Sequence, residues 1–217
     1  MDQKATSNVT YSKRWPDSKN SLSINLYSNR DLLVNKKVDR SSNYFVSPTN
    51  SGSQINISNK TLPKISFRHG QSSLFPSSAL NKKWYNNINW NYGFNFTKKN
   101  KNYYKSVFSD SLNSYDWQRD ENGNAIDTLF QDAGWTHTAS LNAPIKILKH
   151  ININPNINFR SNWVNRYYDN IWVDSLSSYQ KIERTGFKSR TTGNVSLNAN
   201  TKLYGLFAIP IGPIKII

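Results

Sequence analysis

The sequence predicts an all-β protein, an antiparallel meander of long strands forming an incomplete part of a transmembrane β-barrel. Three observations carry this. Apolar and polar residues alternate with a period of two in segment after segment, the signature of strands. No stretch of useful length shows the 3.6-residue apolar spacing of an amphipathic helix. The faces opposite the apolar ones are filled with Asn, Ser and Gly, whereas the wetted face of a soluble sheet usually carries Lys, Glu, Thr and Arg.

Taken in order, "NVTYSKRW" (8–15) alternates weakly. "SLSINLY" sets Leu22, Ile24 and Leu26 on one face. Residues 28–52 read as a long polar loop, and "SQINIS" then pairs Ile55 with Ile57. In "WYNNINWNYGFNF" (84–96) the residues Ile88, Trp90, Tyr92, Phe94 and Phe96 oppose Asn89, Asn91, Gly93 and Asn95, and the strand is expected to begin at Trp84. Residues 98–133 read as a second long loop that holds a large share of the acids. Within it Asn122-Gly123 signals a tight turn. "THTASLNA" is weak, and the connection from Leu141 to His150 is short. "ININPNINF" aligns Ile151, Ile153, Pro155, Ile157 and Phe159 against four asparagines. Pro155 removes a ladder donor in mid-strand, so an edge or a bulge is expected there. A third polar loop is expected over 168–188, before "NVSLNANTKL" aligns Val195, Leu197, Ala199, Thr201 and Leu203. Long loops at one end and short turns at the other suit a barrel; they also suit a sandwich with elaborate loops.

The bulk numbers agree with a single segment over 1–217. Only 36% of residues are hydrophobic, yet 13% are aromatic, with seven Trp and twelve Tyr. There are 31 Asn and 28 Ser. The apolar content is therefore bulky and concentrated, too polar overall for a large ordinary core and too aromatic for disorder. The net charge of +15 points either to an anionic partner or to ordinary solvated surface, since the Lys and Arg are scattered. Cysteine is absent, which excludes disulfides and thiolate metal sites. No apolar run of transmembrane-helix length and no signal peptide are visible. The apolar end "LYGLFAIPIGPIKII" suggests a piece whose flanks lie elsewhere.

Periodicity leaves two architectures open. A sandwich turns its apolar faces inward. A membrane barrel turns them to lipid and lines a wet lumen with hydrogen-bonding residues. Length favours the barrel. Trp84 to Phe96 spans about 40 Å, or about 28 Å along the bilayer normal at 45° tilt, against an apolar band about 25 Å tall. Ile151 to Trp163 repeats that span, and aromatics stand at the ends as an interfacial girdle does. The lipid-facing set is then Trp84, Ile88, Trp90, Tyr92, Phe94, Phe96, Ile151, Ile153, Ile157 and Phe159. Asn86 and Ser161 sit on the same parity and resist the pattern.

Three words of the sequence resemble a known family: "LPKISFRHGQSSLFP" (62–76), "WYNNINWNYGFNF" and "TKLYGLF" (201–207). The matching positions are Leu62, Pro63, Ile65, Ser66, Phe67, Leu74, Phe75, Pro76, Trp84, Tyr85, Ile88, Thr201, Leu203, Tyr204 and Gly205. Their order is that of the lipopolysaccharide-assembly outer-membrane protein LptD, in its divergent Bacteroidetes-like branch. The resemblance implies a large barrel in the cell outer membrane. Such a barrel receives lipopolysaccharide from periplasmic bridge proteins, releases it sideways into the outer leaflet, and holds an LptE-like lipoprotein. This sequence is shorter than the family's full barrel of over twenty strands and lacks its periplasmic domain, so no ligand-contact residue carries over.

Chemistry-bearing motifs are missing. His69, His137 and His150 lack metal-ligand spacing. Asp110, Asp116, Asp120, Glu121 and Asp127 lack an EF-hand register, and a solvated loop accounts for them. No nucleophile elbow or P-loop occurs. A non-enzymatic chain with no cofactor and no nucleic acid is expected. Lys98, Lys99, Lys101 and Lys105 stand near strand ends, where lipid phosphates lie; Arg68, Arg160 and Arg166 fit either that rim or the lumen. The other readings are a different outer-membrane barrel (a porin or a TonB-dependent receptor) and a soluble β-sandwich adhesin or glycan-binding module.

Overall fold

The alternating segments become nine strands. The computed structural model describes residues 3–78, 80, 83–147 and 151–201. In chain order they form β1 (Lys4–Trp15), β2 (Asn20–Asp31), a short helix α1 (Val34–Val38), β3 (Gln54–Ser73), β4 (Asn89–Ser109), β5 (Ser114–Trp117), β6 (Asp127–Asn142), β7 (Ile145–Ile147), β8 (Ile151–Val173) and β9 (Ser178–Thr201). Every pairing is antiparallel. The lateral order is β1-β2-β3-β4-β6-β8; β7 takes β6's place beside the start of β8, β9 lies on β8's other side, and β5 pairs with the end of β4.

The sheet is open. Among the described residues β1 pairs only with β2 and β9 only with β8, so each leaves a row of N–H and C=O groups that an added strand would satisfy. No second sheet covers either face there, and the buried apolar residues are only Val34, Val38 and Trp117, at one end of the sheet. Large apolar side chains instead lie open in mid-sheet, such as Ile157 (47% exposed) and Val195 (76%). No described helix is long and apolar enough to cross a membrane, which leaves strand crossing untouched.

Several boundaries differ from the sequence expectation. The stretch 84–96 does not form one strand. Trp84–Asn87 is a 3-10 turn, Ile88 follows it, and β4 begins at Asn89. The loop expected over 98–133 is mostly strand, because β4 continues to Ser109 and β6 starts at Asp127. The loop expected over 168–188 is a hairpin: β8 and β9 pair from Val164 to Val173 and turn at Asp174–Leu176. Residues 32–53, rather than 28–52, make the first long connection. Pro155 lies at neither a sheet edge nor a bulge. Its carbonyl accepts from Ala143 N–H at 3.1 Å, so its edge faces the break between β6 and β7, where no ladder donor is required. Asn122-Gly123 does make a tight turn, with Gly123 at φ 79 and a bridge between Arg119 and Ala125. The family positions Leu62 and Pro63 lie at a register shift in β3, and Phe75 and Pro76 follow its end. Leu203, Tyr204, Gly205 and His150 lie outside the described residues.

Candidate functional site

Residues paired across an antiparallel ladder share a face, so the register sorts side chains into two surfaces. One row runs Tyr11, Ile24, Ile65, Phe96, Trp135, Trp163 and Ser189 across seven strands. Another joins Trp90, Leu141, Ile157 and Val195. Tyr92, Phe94, Phe159, Ile153 and Ile151 fall on this same apolar face. Eight of the ten residues expected to face lipid are therefore brought together. Trp84 and Ile88 belong instead to the corner joining β3 to β4.

The apolar residues form a band that crosses the strands obliquely. On β8 the band extends from Ile151 to Trp163, centred on Ile157; on β2 it extends from Leu22 to Leu26, centred on Ile24. Ile24 stands in the row of Trp163, so the centre moves from 157 to 163 in β8 register over the four steps β8, β6, β4, β3, β2. Six residues are about 20 Å along the strand, and four steps are about 19 Å across it, a slope of about 45°. That is the strand tilt of transmembrane barrels, about 35–45°. A horizontal slab of hydrocarbon cuts tilted strands along such a diagonal.

Several polar groups on this face pair with one another. Ser161, 5% exposed, accepts from Trp163 Nε1 at 2.7 Å and meets Thr191 Oγ1 at 2.8 Å. Tyr92 Oη and His137 Nδ1 are 2.8 Å apart, with Trp163 and Phe94 against the imidazole. His69 stacks on Trp90 at 4.2 Å and its Nδ1 meets Asn20 Oδ1. Aromatic rings thus lie against these polar groups, while His69 Nε2 is buried without a hydrogen-bond partner among the described residues.

The opposite face is polar and positive. One row reads Arg14, Ser21, Arg68, Gly93, Thr138, Arg160 and Thr192; the next reads Ser12, Ser23, Ser66, Asn95, Thr136, Asn162 and Arg190. Lys64 and Lys188 stand one row further on, with Thr97, Gly134 and Val164. These rows hold no carboxylate. None of Arg14, Arg68, Arg160 or Arg190 makes an ion pair among the described residues. Side-chain ladders such as Ser66 Oγ to Asn95 Oδ1 (2.8 Å) and Thr136 Oγ1 to Asn162 Oδ1 (3.0 Å) order the surface. Lys99, Lys101 and Lys105 continue this face beyond the band, whereas Lys98 lies on the apolar side directly after Phe96.

Beyond the band the long connections fold over one end of the sheet. Trp117, 2% exposed, donates to Val46 O at 2.9 Å, and Arg119 donates to Val38 O at 2.7 Å. Asp116 accepts from Arg40 at 2.5 Å and Arg119 at 2.9 Å. Burial raises the Asp116 pKa, but those two guanidiniums and the Trp117 N–H outweigh it, so the carboxyl lies below its ordinary range. Asp120 is taken up by the N–H groups of Asn122 and Asn124. Among the described residues no group of three or more metal-ligating side chains gathers.

Register and burial together define a segment of barrel wall, apolar on one side and polar and cationic on the other. A family model described as LptD protein matches residues 1–217, and the chain belongs to the LptD family. Membership carries an LptD-like role in lipopolysaccharide transport, in an outer-membrane family that transports and assembles rather than catalyses. Neither a curated protein nor a solved structure matches the chain.

Proposed function

We propose that this chain forms part of the wall of an outer-membrane barrel that delivers lipopolysaccharide to the outer leaflet. The apolar face lies against hydrocarbon, with Trp90, Tyr92, Phe94, Phe96, Ile151, Ile153, Ile157 and Phe159 toward the acyl chains and Trp84 and Ile88 at their margin. The polar face lines the water-filled interior and offers hydrogen bonds and positive charge to the sugar-phosphate part of the amphiphile, whose acyl chains leave sideways into lipid. An LptE-like lipoprotein within the barrel and periplasmic bridge proteins upstream are the partners this role needs. The carrying observation is the oblique band. A soluble sheet has no reason to slide its apolar centre by about 1.5 residues per strand, whereas a tilted sheet in a flat slab must do so.

The test is a cysteine scan along β4 in intact cells with a water-soluble maleimide. Cysteines replacing Asn91 and Asn95 should label quickly, and those replacing Phe94 and Phe96 at least tenfold more slowly. Equal labelling of both parities would end the proposal.

A further inference from the structure

We infer that the polar face carries a built subsite for a negatively charged sugar, centred on Arg160; this rests on reading that face as the lumen. Beside Arg160 lies a hollow of about 460 Å³ whose lining includes Asn91, Thr138, Ser140, Asn158 and Asn194. The lining divides by chemistry. Asn91, Ser140, Asn158 and Asn194 form one cross-strand row, and Thr138, Arg160 and Thr192 belong to the next. Carboxamides and hydroxyls that both donate and accept are suited to sugar hydroxyls.

Arg160 supplies the charge. Its Nε donates to Asn162 Oδ1 at 3.2 Å, which aims the side chain while its other donors remain unclaimed by any carboxylate. A guanidinium presents a planar fork to an oxyanion. Gly93 leaves room for Thr138, which lines the hollow, because a Cβ there would meet Thr138 Oγ1 at 2.7 Å. Beyond Gly93 the row continues to Arg68, three strands from Arg160 and so about 14 Å away. A sugar bearing one anionic group is held at Arg160, and one bearing two well-separated groups reaches Arg68 as well. The anion is either a phosphate ester or a sugar carboxylate.

The test uses the full-length barrel in detergent with benzoylphenylalanine in place of Ser140. Purified lipopolysaccharide is offered intact, dephosphorylated, or with its sugar carboxyls reduced. Intact glycolipid should photocrosslink, and loss of one anionic group should lower the yield about tenfold, the scale of one charged hydrogen bond. Which treatment lowers it identifies the anion. Arg160→Gln should lower the intact yield similarly and make it insensitive to treatment, with Arg160→Lys between the two. Equal yields from all three glycolipids in the unsubstituted barrel overturn the subsite. That comparison needs no arginine variant, so a misfolded one does not disarm it. If the same label at Asn95 also captures nothing, the lumen reading itself fails; if Asn95 crosslinks and Ser140 ignores charge, only the subsite fails.

Discussion

Asn86 shows what one side chain does to a strand. It occupies the apolar parity of the stretch 84–96, where an amide in lipid would be costly. Only 8% of it is exposed, because it closes the corner between β3 and β4. Its Nδ2 donates to Phe75 O and its Oδ1 accepts from Lys83 N, both at 2.6 Å, while its carbonyl accepts from Ser73 Oγ at 2.7 Å. The corner is therefore an ordered turn carrying Trp84, Tyr85 and Phe75 in edge contacts. Asn86→Ala removes the partner of the Lys83 N–H and of the Phe75 carbonyl, at about 1 kcal/mol for each lost hydrogen bond. The temperature at which the barrel loses its heat-resistant gel mobility should fall by several degrees. Asn86→Asp, which keeps the acceptor, should lie between; a variant that melts with the parent protein would show the corner is held by its aromatics alone. Ser161 is the second case. Its hydroxyl looks misplaced until β9 brings Thr191 and β8 folds Trp163 over it, and that pairing is not legible along a single strand.

At the scale of elements, legibility follows the medium. The halves of β4 and β8 inside the band, Trp90–Phe96 and Ile151–Phe159, alternate cleanly, as the proposed apolar medium on one side and polar medium on the other require. The outer halves, Lys98–Tyr104 of β4 and Asp127–Ala133 of β6, pair with each other without a register shift. Both their faces carry polar residues, so the apolar period vanishes while the backbone ladder persists, and composition alone reads as loop. The aligned arginines were invisible for a related reason: Arg14, Arg68 and Arg160 share a row only through five successive pairings. The cap over the sheet end yields a prediction of its own. Asp116 has a folded pKa below its unfolded one, so its pairs with Arg40 and Arg119 stabilise the cap above about pH 4, the unfolded value. That contribution disappears as pH falls through the lowered folded value. Acid titration below pH 4 should shift the fluorescence of Trp117, isolated by difference against Trp117→Phe, toward that of an exposed indole. Asp116→Asn should already look loosened at neutral pH and show no acid step; an acid step unchanged by that substitution would assign the transition to another carboxylate.

The whole sheet is constrained by geometry that no single strand contains. If the oblique band is the trace of a bilayer, depth in the membrane follows the band and not the ladder. Ile24 and Ile157 both sit at its centre, although six residues of register separate them; Trp163 shares a ladder row with Ile24 yet ends the band on β8. Six residues at about 3.3 Å, projected at 45°, put Trp163 about 14 Å nearer the interface than Ile157. The same slope carried from Ile151 over two strands to β4 reaches residue 87, which sets the Trp84–Asn87 turn at the headgroup boundary, where Trp and Tyr concentrate. Nitroxides on single cysteines in reconstituted barrels measure these depths through competing collisions with oxygen and a nickel chelate. Labels at positions 24 and 157 should report equal, central depths, with 163 and 84 shallow. An untilted sheet would instead give 24 and 163 one depth and 157 another. That pattern would remove the bilayer from the explanation of the band, because the ladder alone would then set where each side chain lies.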